Sequence, residues 1–277
     1  MTQLTEGEIV GVLETVALGI LQGLTEFLPV SSSGHLVILK NLLGFREPEL
    51  LVDTVLHLAT LMAVCVFFRR DILLIFSELR QWLARGHRPA DLMNFTHGSL
   101  AVWVIIGTLP TAAVGLGFRR SLEAMFGSTS AVGLMLLVTG CIVGLTRFIP
   151  ERYNTRSSLG PWVALSVGLA QGMAVMPGIS RSGITIVCAL LFGVRRDLAG
   201  KFSFLLSIPA ILGAVVLQLD YDAAARIGLP SLAAGFIAAV FVGLGALRVL
   251  MSMLARGRLY YFTPYCWFAG VIVLLFS

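Results

Sequence analysis

The stretch EFLPVSSSGHLVIL, residues 26–39, sets a carboxylate, three consecutive serines and a histidine in a chain that is apolar on both sides of it. Its surroundings decide how it must be read. Of the 277 residues 57% are hydrophobic and 13% charged, and the mean hydropathy is +0.91, well outside the range of an ordinary soluble domain. The chain belongs in a bilayer. An unpaired charge there costs about 2.5–3.5 kcal/mol on insertion scales, so each polar group in this stretch needs a partner or a purpose.

A transmembrane helix takes about 20 mostly apolar residues. Such runs lie near residues 50–68, 99–117, 130–149, 202–219, 229–250 and 263–276, which predicts six spans. Residues 70–84 (RDILLIFSELRQWLA) are only weakly amphipathic and fit a surface helix better. The N-terminal MTQLTEGEIV carries two glutamates and no basic region of the signal-peptide kind, so it is expected to be retained. Cys65, Cys141, Cys188 and Cys266 stand alone in apolar segments without CxxC spacing, and read as buried structural thiols. The formal charge of +5 is spread over short loops. Membrane orientation accounts for it, and no nucleic-acid partner is expected.

Two segments, residues 9–44 and 159–194, are apolar but broken in the middle by Pro, Gly and Ser. They match without gaps. GILQGLTEFLPVSSSGHLVILKNLLG from Gly19 aligns with GLAQGMAVMPGISRSGITIVCALLFG from Gly168 at an offset of 149. Eight of the 26 positions are identical: Gly19/Gly168, Gln22/Gln171, Gly23/Gly172, Ser31/Ser180, Ser33/Ser182, Gly34/Gly183, Leu42/Leu191 and Gly44/Gly193. Polar residues recur in register, which favours duplication over chance. Each segment reads as a helix, a polar break and a helix too short to cross the hydrocarbon, a re-entrant hairpin. Non-helical backbone at that depth requires protein or a watery cavity around it.

The expected fold is therefore a single all-α polytopic membrane domain over 1–277, with six transmembrane helices and two re-entrant hairpins. Three spans separate the repeats, approximately 9–149 and 159–276, so the second copy is inverted and the broken tips meet near the midplane. The loops bear on this topology. Arg69, Arg70, Arg80, Arg85, Arg88, Arg147, Arg152, Arg156, Arg195, Arg196, Lys201, Arg256 and Arg258 fall on one side, and only Arg46, Arg119, Arg120 and Arg226 on the other. The positive-inside rule puts the first group in the cytoplasm and both termini, with the entry to the first hairpin, outside.

The ionisable residues at membrane depth are Glu14, Glu26, His35, Lys40, Asp53, His57, Arg181 and Arg248. Glu26 follows Gln22 by one helical turn, on the same face, and immediately precedes the break. Ser31, Ser32 and Ser33 could merely cap the next helix, but a serine becomes a nucleophile when a general base is in reach, and Glu26 and His35 flank the run. In PGISRSGIT the second segment adds Gly178, Ser180, Arg181, Ser182 and Thr185 at a helix start, a site for an anion. The competing reading of Arg181 is an ion pair with Glu26. Asp53 and His57, one turn apart, read as support behind the site. Glu14, Lys40 and Arg248 sit near segment ends, where long side chains reach the interface. His87 and His97 fall in a loop and carry no expectation. Gly140 and Gly144, spaced as GxxxG, permit close helix contact, within the chain or in a homodimer.

The long motifs QGLTEFLPVSSSGH and PGISRSGIT, with FSFLLSIP at 202–209, closely resemble the integral-membrane undecaprenyl-diphosphate phosphatases of the bacitracin-resistance type. The resemblance covers nearly the whole chain. It implies hydrolysis of a polyprenyl diphosphate lipid to the monophosphate, recycling the lipid carrier of cell-wall synthesis in the bacterial inner membrane, with the site opening outward. It implies Glu26, Ser32, His35 and Arg181 as catalytic residues, with Ser180, Ser182 and Thr185 around the phosphate; Gln22, Ser31, Ser33 and Gly178, within the same motifs, are expected to bind substrate. It also implies a divalent cation, Mg2+ or Ca2+, whose ligands are not legible. Gln22 stands where the family motif allows Glu or Gln, so a Glu/Glu metal pair is not expected. The rival reading is an inverted-repeat transporter or flippase for a lipid phosphate or small anion.

Overall fold

A computed structural model describes residues 11–43, 50–84, 88–118, 125, 127–218 and 228–277. Its helices are α1 (Val12–Phe27), α2 (Ser32–Leu43), α3 (Leu50–Phe67), α4 (Arg69–Ala84), α5 (Thr96–Gly117), α6 (Thr129–Gly144), α7 (Pro161–Met173), α8 (Arg181–Leu191), α9 (Arg196–Gln218), α10 (Leu229–Ala255) and α11 (Thr263–Leu275). Strand pairing among the described residues is confined to an isolated bridge between Arg156 and Val194. Among the described residues four helices are long and apolar enough to cross a membrane, or five if α3 and α4, bent by 73° at their junction, count as one broken span. The chain is thus an all-helical polytopic membrane protein. None of the α4 side chains is buried.

Both broken segments form the expected pair of short helices. α1 runs into a turn at 28–31 and continues as α2; α7 runs into a turn at 174–180 and continues as α8. The ends of the second pair come back together. The Arg156 N–H, in the loop before α7, donates to Gly193 O at 3.0 Å beyond α8, and Asn154 Nδ2 donates to Leu190 O at 2.8 Å.

The repeated glycines explain how the halves interlock. α1 lies along α10, and a Cβ added to Gly19 would sit 2.3 Å from Gly235 O. α7 lies along α5, and a Cβ on the matching Gly168 would sit 2.0 Å from Gly107 O. Two backbones can approach this closely only where side chains are absent. Threonines lock the same seams: Thr15 Oγ1 donates to Ser231 O at 2.8 Å, and Thr111 Oγ1 donates to Gly168 O at 2.8 Å. Each short broken helix therefore rests on a long helix of the other half. Gly140 and Gly144 are used within the chain, since added Cβ atoms would meet Trp267 of α11 at 2.5 Å and Thr263 at 3.2 Å.

The cation-rich loops gather at one end of the molecule. Arg196 reaches Glu151 at 3.4 Å and Ala255 O at 3.3 Å, Lys201 pairs with Asp71 at 2.5 Å, and Arg147 lies over the Tyr260 ring. Arg46, Arg85, His87, Arg119, Arg120 and Arg226 lie outside the described residues. At this end Glu78 of α4 caps α5, accepting from the N–H groups of His97 and Gly98 at 2.8 and 2.7 Å. Burial pushes its carboxyl up, but the hydrogen bonds from His97 and Gly98 outweigh this and hold it below the usual range. Of the four thiols, Cys266 is buried and Cys65 and Cys188 half-buried, but Cys141 is exposed. The expectation of burial fails at Cys141 because α6 presents an apolar outer face there, where a thiol needs no cover from protein.

Gly168→Ala is expected to lower stability by about 1–3 kcal/mol, the cost of overpacking a tight seam. Gly115→Ala, whose Cβ would meet nothing within 4 Å, should leave the melting temperature unchanged. Thermal melts in detergent compare the two; equal effects would contradict the seam.

Candidate active site

Glu26 ends α1 at the break and is 7% exposed. Burial of a carboxylate is tolerable only with charge and hydrogen-bond partners, and three converge on it. Ser32 Oγ donates to its Oε2 at 2.6 Å, Gln22 Nε2 donates to the same oxygen at 3.1 Å, and Arg181 Nη2 donates to Oε1 at 2.6 Å. One carboxylate thus joins the first broken segment to the second, across 155 residues of sequence.

The backbone that brings Ser32 to this position is strained. Ser31 sits at φ +69°, a left-handed conformation that costs energy for a residue with a side chain. Its neighbours hold it there. Ser31 Oγ accepts from the N–H of Gly34 at 3.3 Å and from that of Gly178, in the opposite turn, at 3.1 Å. Gly178 itself is at φ +97°, and its carbonyl accepts from Thr139 Oγ1 at 2.8 Å. Thr139 Oγ1 also accepts from the Ser180 N–H at 3.0 Å. The two turns are therefore pinned to each other and to α6, with Ser32 lifted to the start of α2.

Arg181 opens α8. Ser180 caps that helix, its hydroxyl accepting from the Gly183 N–H at 3.1 Å. The ion pair with Glu26 is formed, yet it uses only part of the guanidinium. Nη1 is buried without a hydrogen-bond partner, and a buried guanidinium N–H left unpaired is costly unless something arrives to meet it. A planar fork can hold a carboxylate on one side and an anionic oxygen on the other.

The remaining expected residues take different positions. Ser33 is half-buried beside Ser31, 3.3 Å between their hydroxyls. Ser182 and Thr185 are fully buried and support the turn: Ser182 Oγ lies 3.2 Å from Ser180 Oγ, and Thr185 Oγ1 donates to Arg181 O at 2.7 Å and lies 2.5 Å from Ser203 Oγ. Gln22 has no exposed surface; it orients Glu26 from behind. His35 is turned away from this group. Its Nδ1 lies 2.7 Å from Ser31 O and its Nε2 lies 2.7 Å from Tyr265 Oη, with the two rings stacked. The carbonyl can only accept, so Nδ1 carries the proton and the Tyr265 hydroxyl donates to Nε2. His57, from α3, does approach Glu26, with Nε2 3.9 Å from Oε2.

Sequence reasoning missed Tyr265, Thr139 and Ser203. Thr139 and Ser203 are hydroxyls isolated in apolar runs and could have been flagged on that ground; nothing in the spacing singles out Tyr265. Among the described residues no group of three or more His, Cys, Asp and Glu side chains is gathered to hold a metal ion. Both Glu26 oxygens are already engaged. The donor set does not form a protein cage for a divalent cation.

A carboxylate, a hydroxyl and a guanidinium thus meet at paired helix breaks in a polytopic membrane protein. The family model for bacitracin resistance protein BacA matches residues 15–272, and the chain belongs to that family. An undecaprenyl-diphosphatase of Desulfatibacillum aliphaticivorans is 44% identical over 273 residues, 95% of this chain and 98% of the relative. Undecaprenyl-diphosphatases of Desulfosudis oleivorans and Carboxydothermus hydrogenoformans are each 42% identical, over 95% of this chain and 97% and 96% of theirs.

Arg181→Lys should fold, since an ammonium can still pair with Glu26, but should lose about 100-fold or more in kcat, the scale of deleting one fixed donor at the reacting charge. Phosphate release and thermal melts measured together check it. Near wild-type turnover by the lysine variant would show that the second arm of the fork is not needed.

Proposed function

We propose that the chain hydrolyses undecaprenyl diphosphate to undecaprenyl phosphate and inorganic phosphate. The observation that carries this reading is Ser32 Oγ, 2.6 Å from Glu26 Oε2, with Arg181 on the other carboxylate oxygen. Family membership and the names of the relatives support it. The transporter reading is not favoured, because a carrier has no use for a hydroxyl aligned on a buried carboxylate.

In this mechanism the diphosphate enters between the two turns while the prenyl chain stays in lipid. Arg181 Nη1 and the first N–H groups of α8 bind the terminal phosphoryl group. Ser32 Oγ attacks its phosphorus as Glu26 takes the hydroxyl proton; the new O–P bond forms and the bridging P–O bond breaks, releasing undecaprenyl phosphate. Water then cleaves the phosphoserine and inorganic phosphate leaves. Phosphoryl transfer proceeds through a loose transition state that asks mainly for positioning and charge stabilisation. Glu26 is the base on grounds of distance, and His35, held by Ser31 and Tyr265, lines the entrance. The described residues gather no cage for the Mg2+ or Ca2+ expected from the resemblance. No step above is routed through it.

The proposed membrane arrangement has six spans, α3, α5, α6, α9, α10 and α11, with α1–α2 and α7–α8 as inverted re-entrant hairpins. α4 lies on the cytoplasmic surface. The site opens to the outer face, on which both termini lie. Pinning of the two turns at Ser31 and Gly178, and the gathering of cation-rich loops at one end, support this arrangement.

Phosphate release from undecaprenyl diphosphate by purified protein tests the function. Glu26→Gln and Ser32→Ala should each lose about 100-fold or more, the range of a positioned general base, with folding retained. Gln22→Glu should remain active with a displaced pH–rate profile, because two carboxylates one turn apart titrate as a pair. Substantial turnover by folded Glu26→Gln would remove Glu26 as the base.

A further inference from the structure

Glu26 has a fourth polar neighbour. His57, on α3, places Nε2 3.9 Å from Glu26 Oε2, the oxygen that also accepts from Ser32. The other ring nitrogen lies 2.7 Å from Asp53 O, one turn earlier on the same helix. A carbonyl oxygen can only accept, so the proton sits on Nδ1 and Nε2 turns a lone pair toward the carboxylate. The His57 side chain is 32% exposed, against 6% for Glu26.

The chemistry at Glu26 leaves a proton to be disposed of. When Ser32 attacks, its proton passes to Oε2, and the carboxylate must lose it before the next cycle. Gln22 and Arg181 both meet Glu26 as N–H donors, and neither an amide nitrogen nor a guanidinium takes a further proton. Nε2 of His57 is a basic atom within reach, on a side chain 32% exposed where that of Glu26 is 6% exposed. At 3.9 Å the gap exceeds a hydrogen bond. A small rotation of either side chain closes it, or one water spans it.

We propose that His57 is a positioning residue that clears the proton from Glu26 and passes it to water, an assignment that rests on the phosphatase reading above. The Ser32 proton moves first to Glu26 Oε2. It then moves to His57 Nε2, giving an imidazolium whose Nδ1–H stays on Asp53 O. Release of the Nε2 proton to solvent restores the starting state. Among the described residues Glu26 is the ion-pair neighbour of His57, and Asp53 stands one turn away on the same helix. Arg181 of α8 reaches the same carboxylate from the far oxygen, Lys201 of α9 pairs with Asp71 of α4, Glu14 of α1 caps its own helix at Gly11, and Arg248 of α10 is exposed.

The test is the pH dependence of kcat and KM for phosphate release from undecaprenyl diphosphate by wild type, His57→Gln and His57→Ala in detergent. The pH–rate profiles of wild type and His57→Gln should differ in shape, because only the wild type carries a proton-accepting side chain at this position. At neutral pH kcat should drop about 10- to 100-fold, the lower part of the range for a positioned proton-transfer group, with KM nearly unchanged. Added imidazole should restore part of kcat in His57→Ala, because the side chain is partly exposed. Should His57→Ala fail to melt cooperatively, His57→Asn replaces it in the rescue. Wild-type kcat in folded His57→Gln, or a pH-independent loss without imidazole rescue, overturns the proposal. Wild-type turnover and its loss in Ser32→Ala, measured in parallel, separate the two readings. If those hold, only the role of His57 falls; if wild type releases no phosphate, the phosphatase reading falls as well.

Discussion

The structure turns on the ion pair between Glu26 and Arg181, 2.6 Å long and largely buried. A buried pair is a weak source of stability, because the desolvation of two charges offsets most of their attraction. Its presence in an apolar chain therefore asks for another reason. Here the pair fixes the relative position of the two broken segments and places a serine hydroxyl on the same carboxylate. Part of the guanidinium is left over for an incoming anion.

The rest of the fold supplies the conditions for that pair. Backbone breaks at membrane depth need polar partners, since no water is available to satisfy them. The partners come from Ser31, which accepts from the opposing turn, from Thr139 of α6, which donates to and accepts from the second turn, and from Ser180, which caps α8. The short helices leading into the breaks would have little to rest on by themselves. Glycine seams at Gly19 and Gly168 let them lie against α10 and α5 at backbone contact. Phe27, at the end of α1, then packs edge-on against Phe204 of α9, which anchors the carboxylate's own helix just behind the site.

Much of this was legible in the sequence because apolar runs are conspicuous and polar residues within them are few. The matching of Gly19 with Gly168 marked two positions that lie in equivalent seams, and the run from Glu26 to Ser32 foretold a carboxylate beside a hydroxyl. The orientations were not legible. Spacing alone left Glu26 and His35 as equal candidates for the general base, whereas the fold sets Ser32 on Glu26 and turns His35 onto Tyr265, 230 residues away. Ser182 and Thr185 looked like phosphate ligands by composition, but their hydroxyls are spent holding the second turn. Contacts between distant segments fix these roles, and a pattern read along the chain does not contain them. Cys141 shows the same limit from the outside: in a bilayer, an apolar position need not be an interior one.

The central claim is that joining the two turns at Glu26 and Arg181 makes Ser32 the nucleophile. Its most direct test is to quench the enzyme with acid during turnover of undecaprenyl diphosphate labelled in the terminal phosphate, and to map the label on its peptides. The account predicts label on the peptide carrying Ser32, formed fast enough to sustain turnover and absent from Ser32→Ala. Turnover at the full rate with Ser32 unlabelled throughout, or a Ser32→Ala variant that still releases phosphate at the wild-type rate, would contradict it.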